Sequence, residues 1–234
     1  MTASLTRPLT KHEFKERRLR VASADRIPGN YVRITVEGDD LDGFVSPGPT
    51  DHAKLGATVS ESRFFTPILI DGQVAFDIHL HGSGPLSSWA ETLPVGADVT
   101  LRGPRGSKGF PEGAGHMVLV ADSSALPPMG KWLSLIPDDV PVTAIIVDTD
   151  ESYFGDCGRD FIVTTSDDVT SVVAGLDLDE DAYVWAAGEA TSLIPLRRWL
   201  RDNRRRESFL VEGYWRRGTA DHDHHAPLEG SDES

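Results

Sequence analysis

Two short stretches in the first half of the chain carry residue types that suit a nucleotide cofactor. The first reads Ser-Arg-Phe-Phe-Thr-Pro, which combines a guanidinium, two aromatic rings and a hydroxyl. The two-residue period of a strand divides these side chains between two faces, with Arg63, Phe65 and Pro67 on one and Phe64 and Thr66 on the other. An arginine fork suits phosphate, and an aromatic side chain can cover one face of a planar ring system.

The second stretch ends a strand and begins a helix. The chain runs through His79 and His81 into a Gly-Ser-Gly turn, and Pro85 stands in the first turn of the predicted helix. Helix N-termini present unpaired N–H groups and partial positive charge, so this turn can cradle a phosphate. Together the two stretches predict a site for a planar ring system that carries a diphosphate, a description that fits flavin adenine dinucleotide (FAD).

Composition limits the classes of function. The 234 residues contain 23 basic and 37 acidic side chains, a net charge of −14 that argues against nucleic acid as the partner. No apolar run approaches ~18 residues, and residues 1–11 lack the apolar core of a secretory signal, so we expect no stable membrane association. A single cysteine, Cys157, excludes an intramolecular disulfide and fits a cytoplasmic location.

The sequence pattern predicts two domains. Residues 16–112 contain short β-branched strands, Pro-Gly-Asn and Asp-Gly turns and one helix, which predicts an N-terminal antiparallel Greek-key β-barrel. Residues 113–218 alternate buried apolar strands with helices, which predicts a C-terminal α/β domain with a Rossmann-like parallel sheet. We expect a flexible N-terminal arm over residues 1–15 and a disordered acidic tail over residues 219–234. The His-Asp-His-His run in that tail is typical of adventitious metal binding, so no metal site is assigned.

Several motifs together resemble those of a known family. They are the Arg-Phe-Phe-Thr-Pro strand, the sequence His-Gly-x-Gly-Pro-x-x-x-Trp-Ala, Gly-Pro-Arg-Gly-Ser at 103–107, Trp-Ala-Ala-Gly-Glu-Ala at 185–190 and Gly-Tyr-Trp-Arg-Arg-Gly at 213–218. This set resembles the siderophore-interacting proteins, FAD-dependent ferric-siderophore reductases of the ferredoxin-reductase-like superfamily. The resemblance extends over most of the chain, from about residue 14 to residue 218.

The resemblance implies roles in FAD binding for the two stretches. It assigns Arg63 to the FAD phosphate, Phe65 to the isoalloxazine ring in place of the usual tyrosine, and Thr66 to the neighbourhood of flavin N5. Further cofactor contacts are implied for Phe64, His79, His81, Gly82, Gly84, Pro85, Leu86, Ser87 and Ser88. Ile68 stands where the family often has a second arginine, which puts one phosphate contact in doubt.

In the second half the resemblance implies a nicotinamide site, although no Gly-x-Gly-x-x-Gly follows the first buried strand. The residues assigned to this site are Asp122, Ser124, Gly188, Glu189 and Trp215. Glu189 can equally cap the helix that follows it. Ile194 and Pro195 stand where the family commonly has an arginine, so the choice between NADH and NADPH stays open.

Four basic side chains are assigned to an anionic ferric siderophore: Lys54, Arg105, Arg216 and Arg217. An arginine-rich run over residues 197–206 is a further candidate for attracting an anion, against the ordinary interpretation of a solvated helix end. The implied reaction moves electrons from NAD(P)H through the flavin to Fe(III), and reduction weakens the hold of hard oxygen ligands on the iron. No side-chain acid or base is needed, so no catalytic residue is assigned.

Two other functions remain open at this point. A flavoprotein electron carrier reduced by ferredoxin or another donor needs the FAD site but no nicotinamide pocket. A non-enzymatic siderophore-binding protein keeps the basic residues and lacks tight FAD. Flavin colour in the purified protein would exclude the siderophore-binding protein. Bleaching of that colour by NADH or NADPH would then distinguish the reductase from the flavoprotein electron carrier.

Overall fold

The structure is a computed structural model that describes residues 5–81 and 85–219. It confirms the expected fold class, a curled antiparallel sheet followed by a parallel α/β sheet. No helix within the described ranges is both long and apolar enough to cross a membrane.

The first half is built from antiparallel strands and one helix. Its elements are β1 (Leu9–Lys11), β2 (Glu16–Ile27), β3 (Tyr31–Glu37), β4 (Ala53–Gly56), β5 (Arg63–Phe65), β6 (Ile68–Ile70), β7 (Gln73–His79), α1 (Pro85–Thr92), β8 (Asp98–Arg102) and β9 (Gly106–Lys108). The hairpin turns form where the sequence predicts them, with positive φ angles at Gly29 and Asn30 and at Asp71 and Gly72.

Seven of these strands form one sheet in the order β5-β4-β8-β2-β3-β7-β6. Only Thr66 and Pro67 separate β5 from β6, yet these two strands lie at opposite edges of the sheet. The sheet must therefore curl until its edges meet, as in a barrel. The alternating sequence pattern predicts one strand over residues 63–70, but the strand is interrupted at Pro67, since proline has no N–H to donate to a ladder.

The N-terminal segment differs from the flexible arm that the sequence analysis expected. Strand β1 pairs antiparallel with β9, and the His12 backbone N–H donates to the Arg105 carbonyl. Leu5 is only 1% exposed and packs in the core of the second half, while the Arg7 guanidinium lies 5.0 Å from the centroid of the Trp132 ring. Pairing the β9 edge and burying Leu5 hold this segment, and a short polar run gives no periodic signal of either contact.

The second half alternates strands and helices. Its elements are β10 (His116–Ala121), α2 (Leu126–Leu135), β11 (Val142–Val147), β12 (Ile162–Thr164), α3 (Val169–Ala174), β13 (Ala182–Glu189), α4 (Ile194–Asn203) and β14 (Phe209–Trp215). The sequence pattern predicts strands over residues 116–121 and 142–147 and helices over residues 126–135 and 191–203. The bounds of β10, α2 and β11 agree with these predictions, whereas α4 begins three residues later and the short helix α3 was not predicted.

All five strands of this half are parallel, in the order β12-β11-β10-β13-β14. Helix α2 covers one face through Met129 and Trp132, and helices α3 and α4 cover the other through Val173 and Leu196. The strand order reverses between β10 and β13. In open α/β sheets the crevice at the carboxyl ends of such a pair is where ligands bind.

Buried polar contacts join the two halves. Arg33 donates two hydrogen bonds to the buried Asp77 carboxylate, at 2.8 and 2.7 Å, and the Tyr153 hydroxyl donates to the same carboxylate at 2.7 Å. Tyr31 belongs to β3 but packs in the core of the second half. Burial raises the pKa of both Tyr31 and Tyr153, so both hydroxyls keep their protons at physiological pH.

A second junction centres on Lys131 of helix α2. Its Nζ donates to the Ser46 hydroxyl at 2.7 Å and lies 3.9 Å from the Asp51 carboxylate. Asp51 also accepts hydrogen bonds from Ser46, Ser107 and the Gly48 backbone N–H. Burial lowers the pKa of Lys131 to about 8, although the Asp51 charge opposes the change.

Because the pKa of Lys131 is lowered, we expect the free energy of unfolding to change with pH in the alkaline range. Between pH ~8 and ~10.5 the unfolded chain holds the lysine proton more fully than the folded protein, so the free energy of unfolding rises with pH, by at most ~3 kcal/mol from this group. We expect the Lys131→Met variant to lose that rise, measured by urea unfolding at pH 7.5, 9 and 10.5.

The matched control is Lys15→Met, which removes an exposed lysine of the barrel half. It is expected to keep the pH dependence of the unmodified protein. Parallel stability curves for the Lys131→Met variant and the unmodified protein would contradict the assignment.

Candidate functional site

Sequence-assigned residues of the second half meet at the carboxyl edge of the parallel sheet. Asp122 directly follows β10, Gly188 and Glu189 end β13, and Trp215 ends β14. Because β10, β13 and β14 are neighbouring parallel strands, their carboxyl ends lie side by side. The topology of the sheet therefore brings these assigned residues close together.

The Asp122 carboxylate ties this edge together with four hydrogen bonds. Its Oδ1 accepts from the Ser124 backbone N–H at 2.8 Å and from the Ser124 hydroxyl at 2.6 Å. Its Oδ2 accepts from the Glu189 backbone N–H and from the Trp215 indole N–H, each at 2.8 Å. Burial raises the pKa of Asp122, and these donors oppose the rise because they favour the charged form.

Gly188 makes room for that carboxylate. Its φ angle is +155°, and the pairing of β13 with β14 shifts register between Gly188 and Glu189. A Cβ atom at Gly188 would lie 2.7 Å from Cγ of Asp122, which is inside van der Waals contact. Only glycine combines this backbone conformation with the close approach.

The Glu189 carboxylate binds the turn that leads into α4, whereas the N-cap residue of the helix itself, Leu193, has no side-chain cap. Its carboxylate accepts from the Ser192 backbone N–H at 2.6 Å and from the Arg217 backbone N–H at 3.1 Å. Desolvation acts to raise the pKa of Glu189, but hydrogen bonds from Arg217, Ser192 and Thr191 outweigh it and hold the pKa below its usual value. The side chain fixes the start of the α4 region and the end of β14.

The two C-terminal aromatic residues, Tyr214 and Trp215, have different roles. Trp215 is 39% exposed, with its indole N–H held by Asp122, so part of its ring remains available for a ligand. Tyr214 packs against the core beneath, and burial raises its pKa. Arg216 forms a bridge with Thr219, and the Arg217 side chain is exposed beside Glu189.

A shallow pocket opens beside Asp122 on the side of helices α3 and α4. Its lining includes the apolar residues Val147, Val169 and Leu193 and the polar residues Asp148, Ser166 and Ser192. The pocket lies at the reversal of strand order between β10 and β13, the expected place for a ligand. Asp148 and Ser166 were not among the sequence-assigned residues.

On the barrel side, a row of rings leads to the loop after β10. Neighbouring ring centroids of Tyr153, Tyr31, His79 and His81 are 4.7, 4.9 and 6.1 Å apart along this row. The Tyr31 hydroxyl donates to the Ser123 carbonyl, next to Asp122. Burial, and then the neighbouring His81, lower the pKa of His79, so its ring is neutral near pH 7. The structure thus brings the end of β7 to the edge that carries Asp122.

The predicted phosphate turn is described only in part. Gly82 and Gly84 lie outside the described residues, and Pro85 and Leu86 are the first residues of α1. Ser87 is buried; its hydroxyl accepts from the His81 backbone N–H at 3.2 Å and donates to the His81 carbonyl at 3.4 Å. Ser87 therefore connects α1 to the end of β7, whereas Ser88 is exposed.

Strand β5 presents its aromatic residues to opposite sides, as the alternation predicts. Phe65 lies opposite the buried Ala53 and packs in part against the barrel core. Phe64 is 42% exposed on the other face. Arg63 is half-buried and donates to the Ser62 carbonyl, and Thr66 lies half-buried between β5 and β6. Phe64 is therefore the more exposed of the two rings, and the assignment of Phe65 to the isoalloxazine stays a prediction.

The basic residues assigned to the substrate contact different neighbours. Lys54 Nζ lies 4.6 Å from the centroid of the Phe64 ring, which also contacts His52 edge-on at 5.0 Å. The Arg105 guanidinium lies 4.5 Å from the centroid of the exposed Phe14 ring. Lys54 and Phe64 form a cation–aromatic surface that fits an anionic ligand with aromatic groups.

Part of the arginine-rich run is structural. Arg204 donates to the carbonyls of Leu178, Asp179 and Ala182, and Ala182 is the first residue of β13. Arg205 pairs with Glu207 at 3.2 Å. These arginines lie at the amino-terminal edge of the parallel sheet, opposite the edge that holds Asp122, because α4 runs antiparallel to β13. Arg204 and Arg205 therefore have structural contacts at that edge, and the idea that the arginine-rich run attracts an anion stays a prediction.

The comparisons with known proteins cover the second half of the chain or most of its length. Residues 114–218 match the family model described as siderophore-interacting protein. The resemblance to that family is confirmed. The NADPH-dependent ferric-chelate reductase of Escherichia coli is 27% identical over 213 residues, a match that covers 76% of this chain and 84% of the relative. A crystal structure of a siderophore utilization protein from T. fusca has 28% identity and a TM-score of 0.77, covering 94% of this chain and all of that one.

A further relative is much longer than this chain. The mycobactin import ATP-binding/permease protein IrtA of Mycolicibacterium thermoresistibile is 27% identical over 234 residues. The match covers 86% of this chain but only 25% of IrtA. Similar sequences thus occur in proteins of about this length and as one part of a longer protein.

Because Gly188 lies so close to Asp122, a methyl group added at Gly188 is expected to lower the free energy of unfolding strongly. We expect the Gly188→Ala variant to lose about 2–4 kcal/mol of unfolding free energy, since it adds a steric clash to an unfavourable φ angle. Urea unfolding measures the stability, and a shift in tryptophan emission reports the displaced Trp215 indole.

The control is Gly72→Ala, which has a φ of +80° but open space around its Cβ position. That variant is expected to lose about 1 kcal/mol of unfolding free energy, which is the cost of the unfavourable φ angle alone. Equal losses in the two variants would show that the Asp122 contact is unimportant.

Proposed function

We propose that this protein is an FAD-dependent ferric-siderophore reductase that moves electrons from NADH or NADPH through flavin to Fe(III) held by a siderophore, which frees Fe(II) for iron assimilation. The observation that carries the proposal is the meeting of the two assigned sites. Tyr31 joins the strand end that carries His79 and His81 to the loop that begins at Asp122. Similarity to the E. coli ferric-chelate reductase supports the oxidoreductase assignment.

The barrel half has side chains that fit FAD. Arg63 offers a forked cation to phosphate, Phe64 offers an exposed ring, and the first N–H groups of α1 lie directly after the turn that follows His81. When bound, FAD supplies the chemistry of accepting a hydride from a nicotinamide and releasing electrons singly to iron. Phe65 remains the alternative ring, because it is only partly buried.

The α/β half has side chains that fit a nicotinamide nucleotide. Asp122 fixes the Trp215 indole and the glycine turn at Gly188, and the Trp215 ring stays partly exposed at this edge. Glu189 stabilises this edge through backbone amides rather than through the ligand. The role of these residues is therefore to position a dinucleotide and to exclude water from one side of it.

The ferric siderophore is the substrate, and basic side chains are proposed to bind it. Lys54 and Phe64 offer a cation beside an aromatic ring, and Arg105, Arg216 and Arg217 add positive charge in a chain with a net charge of −14. Local cations are needed because the overall charge repels an anionic chelate. We place the reaction in the cytoplasm, where the single, exposed Cys157 would stay reduced.

The central test is an anaerobic titration of the purified protein. We expect a yellow protein that binds FAD, bleaches on addition of NADH or NADPH, and regains its colour when a ferric siderophore is added, with Fe(II) trapped by ferrozine. Reduction by ferredoxin alone would favour the electron carrier. A colourless protein that binds the siderophore but not FAD would indicate a binding protein and would contradict the proposal.

Replacing residues of β5 separates the roles of its side chains. We expect Arg63→Ala to weaken FAD binding about 10- to 100-fold, since it removes charge-assisted hydrogen bonds to phosphate. Phe64→Ala is expected to weaken FAD binding without loss of stability, whereas Phe65→Ala lowers the unfolding free energy because Phe65 packs against the core. Fluorescence titration with FAD and urea unfolding measure the two effects.

Arg20→Ala serves as the control for charge, because Arg20 is an exposed barrel arginine paired with the equally exposed Asp98. It is expected to bind FAD as the unmodified protein does. An unchanged FAD affinity in Arg63→Ala would remove Arg63 from the phosphate site.

A further inference from the structure

A row of outward-facing side chains crosses the barrel sheet from β5 to β2. In register the row runs through four directly opposed residues: Phe64 on β5, Lys54 on β4, Arg102 on β8 and Glu16 on β2. The next pair along β4 and β8, Leu55 and Leu101, is fully buried. Because successive side chains of a strand point to opposite faces, the row that contains Lys54 and Arg102 lies on the outer face of the barrel.

Lys54 and Arg102 place two positive charges directly opposite each other. Residues in this relation have Cβ atoms about 4.5–5.5 Å apart, and like charges there lower the stability of a sheet. Both side chains are half-buried, so water screens their repulsion less than it would at a fully exposed position. The Lys54 ammonium lies 4.6 Å from the centroid of the Phe64 ring, on the strand that flanks β4 on the side away from Arg102.

The Arg102 guanidinium is not satisfied by the protein. Its Nε is buried and has no acceptor among residues 5–81 and 85–219. Within the same ranges no ion pair joins Arg102 to Glu16, although the two residues are directly opposed. A buried donor without an acceptor costs free energy, and in native proteins such a group calls for a bound water, ion or ligand.

Other arginines of the barrel have carboxylate partners. The pairs are Arg20 with Asp98, Arg26 with Glu91 and Arg33 with Asp77. Arg20 is the closest comparison, because its partner Asp98 belongs to the same strand as Arg102 and lies directly opposite Arg20. At Arg102, by contrast, the opposed residue on β4 is a lysine.

We infer that Arg102, which the sequence analysis did not assign, forms a two-cation clamp with Lys54 and determines the specificity of the reductase for anionic ferric chelates. An anion bound between the two side chains accepts from the unsatisfied guanidinium and removes the repulsion between the two charges. A neutral chelate gains neither effect. The inference rests on the proposed function and adds a residue to its substrate site.

The test measures binding apart from electron transfer. Complexes of Ga(III) have the charge of their Fe(III) counterparts but do not accept electrons from flavin. A trianionic tris-catecholate complex and a neutral tris-hydroxamate complex of Ga(III) are each titrated calorimetrically into the FAD-loaded protein at low salt. We expect the trianionic complex to bind about 10-fold more tightly or better. This preference is expected to narrow at high salt, because the charges are then partly screened.

The diagnostic variant is Arg102→Met, which keeps an unbranched side chain and removes the charge. We expect binding of the trianionic complex to weaken about 10-fold, and binding of the neutral complex to change less than about 2-fold. Urea unfolding is expected to show equal or higher stability, because the variant loses a like-charge neighbour and an unsatisfied donor. The conservative variant Arg102→Lys is expected to recover most of the affinity, since it restores the charge.

The matched control is Arg20→Met. It removes one arginine from the same two paired strands, β2 and β8, at a position where Asp98 is the partner. Both complexes are expected to bind this variant within about 2-fold of the unmodified protein, because the net charge changes equally but the clamp is intact.

Several outcomes overturn the inference. Unchanged binding of the trianionic complex by Arg102→Met, or no binding by the unmodified protein, would remove Arg102 from a chelate site. An equal loss in Arg20→Met would show that only the overall charge matters. A clear loss of stability in Arg102→Met would indicate a structural role. Weaker FAD binding by that variant, measured by fluorescence titration, would assign the two cations to a phosphate of the cofactor.

The proposed function is tested separately from the clamp. Chemically reduced, FAD-loaded protein is mixed with the Fe(III) form of each chelate, and Fe(II) is trapped. If Fe(II) forms from either chelate, the reductase function stands even where the inference about Arg102 fails. If Fe(II) forms from neither, the reductase function itself is contradicted.

Discussion

The arrangement of the second half depends on one carboxylate. Asp122 accepts four hydrogen bonds, and its donors belong to the loop after β10, the end of β13 and the indole of Trp215. An ionised carboxylate can accept several hydrogen bonds and donate none, which suits an edge where backbone N–H groups converge. Gly188 makes this arrangement possible, because a side chain there would occupy the space of the Asp122 carboxylate. The surface offered to a ligand at this edge is therefore fixed before any ligand binds.

The barrel is held against that edge by buried polar contacts as well as by apolar packing. Arg33, Asp77 and Tyr153 form one junction, and Lys131 with Asp51 forms another. Removing one member of a buried charge pair leaves the other uncompensated, so such junctions favour a single arrangement of the halves. Tyr31 contributes in both ways, since it packs in the second core and donates to the Ser123 carbonyl. These contacts therefore hold the two halves in one relative position.

Charge is distributed unevenly around the parallel sheet. Asp122, Asp148 and Glu189 line the pocket at the carboxyl edge, whereas Arg204 and Arg205 bind carbonyls or a glutamate at the amino edge. The proposed ligands are all anions, so the position of each cation matters more than the net charge of −14. Lys54 and Arg105 belong to the barrel half, whereas these carboxylates belong to the parallel sheet.

The sequence by itself determined the division into a β half and an α/β half, the bounds of β10, α2 and β11, the hairpin turns and the alternation of Phe64 and Phe65. These features depend on the pattern of side chains along short segments, which periodicity and turn residues express directly. Motif resemblance indicated Asp122, Gly188 and Trp215, but the hydrogen bond between Asp122 and Trp215 joins residues 93 positions apart. Only the tertiary structure decided that contact, the role of Tyr31, the more exposed ring at Phe64, the pairing of β1 and the location of Arg204. Each of these depends on which distant segments pack together, and that is a property of the whole fold rather than of any local pattern.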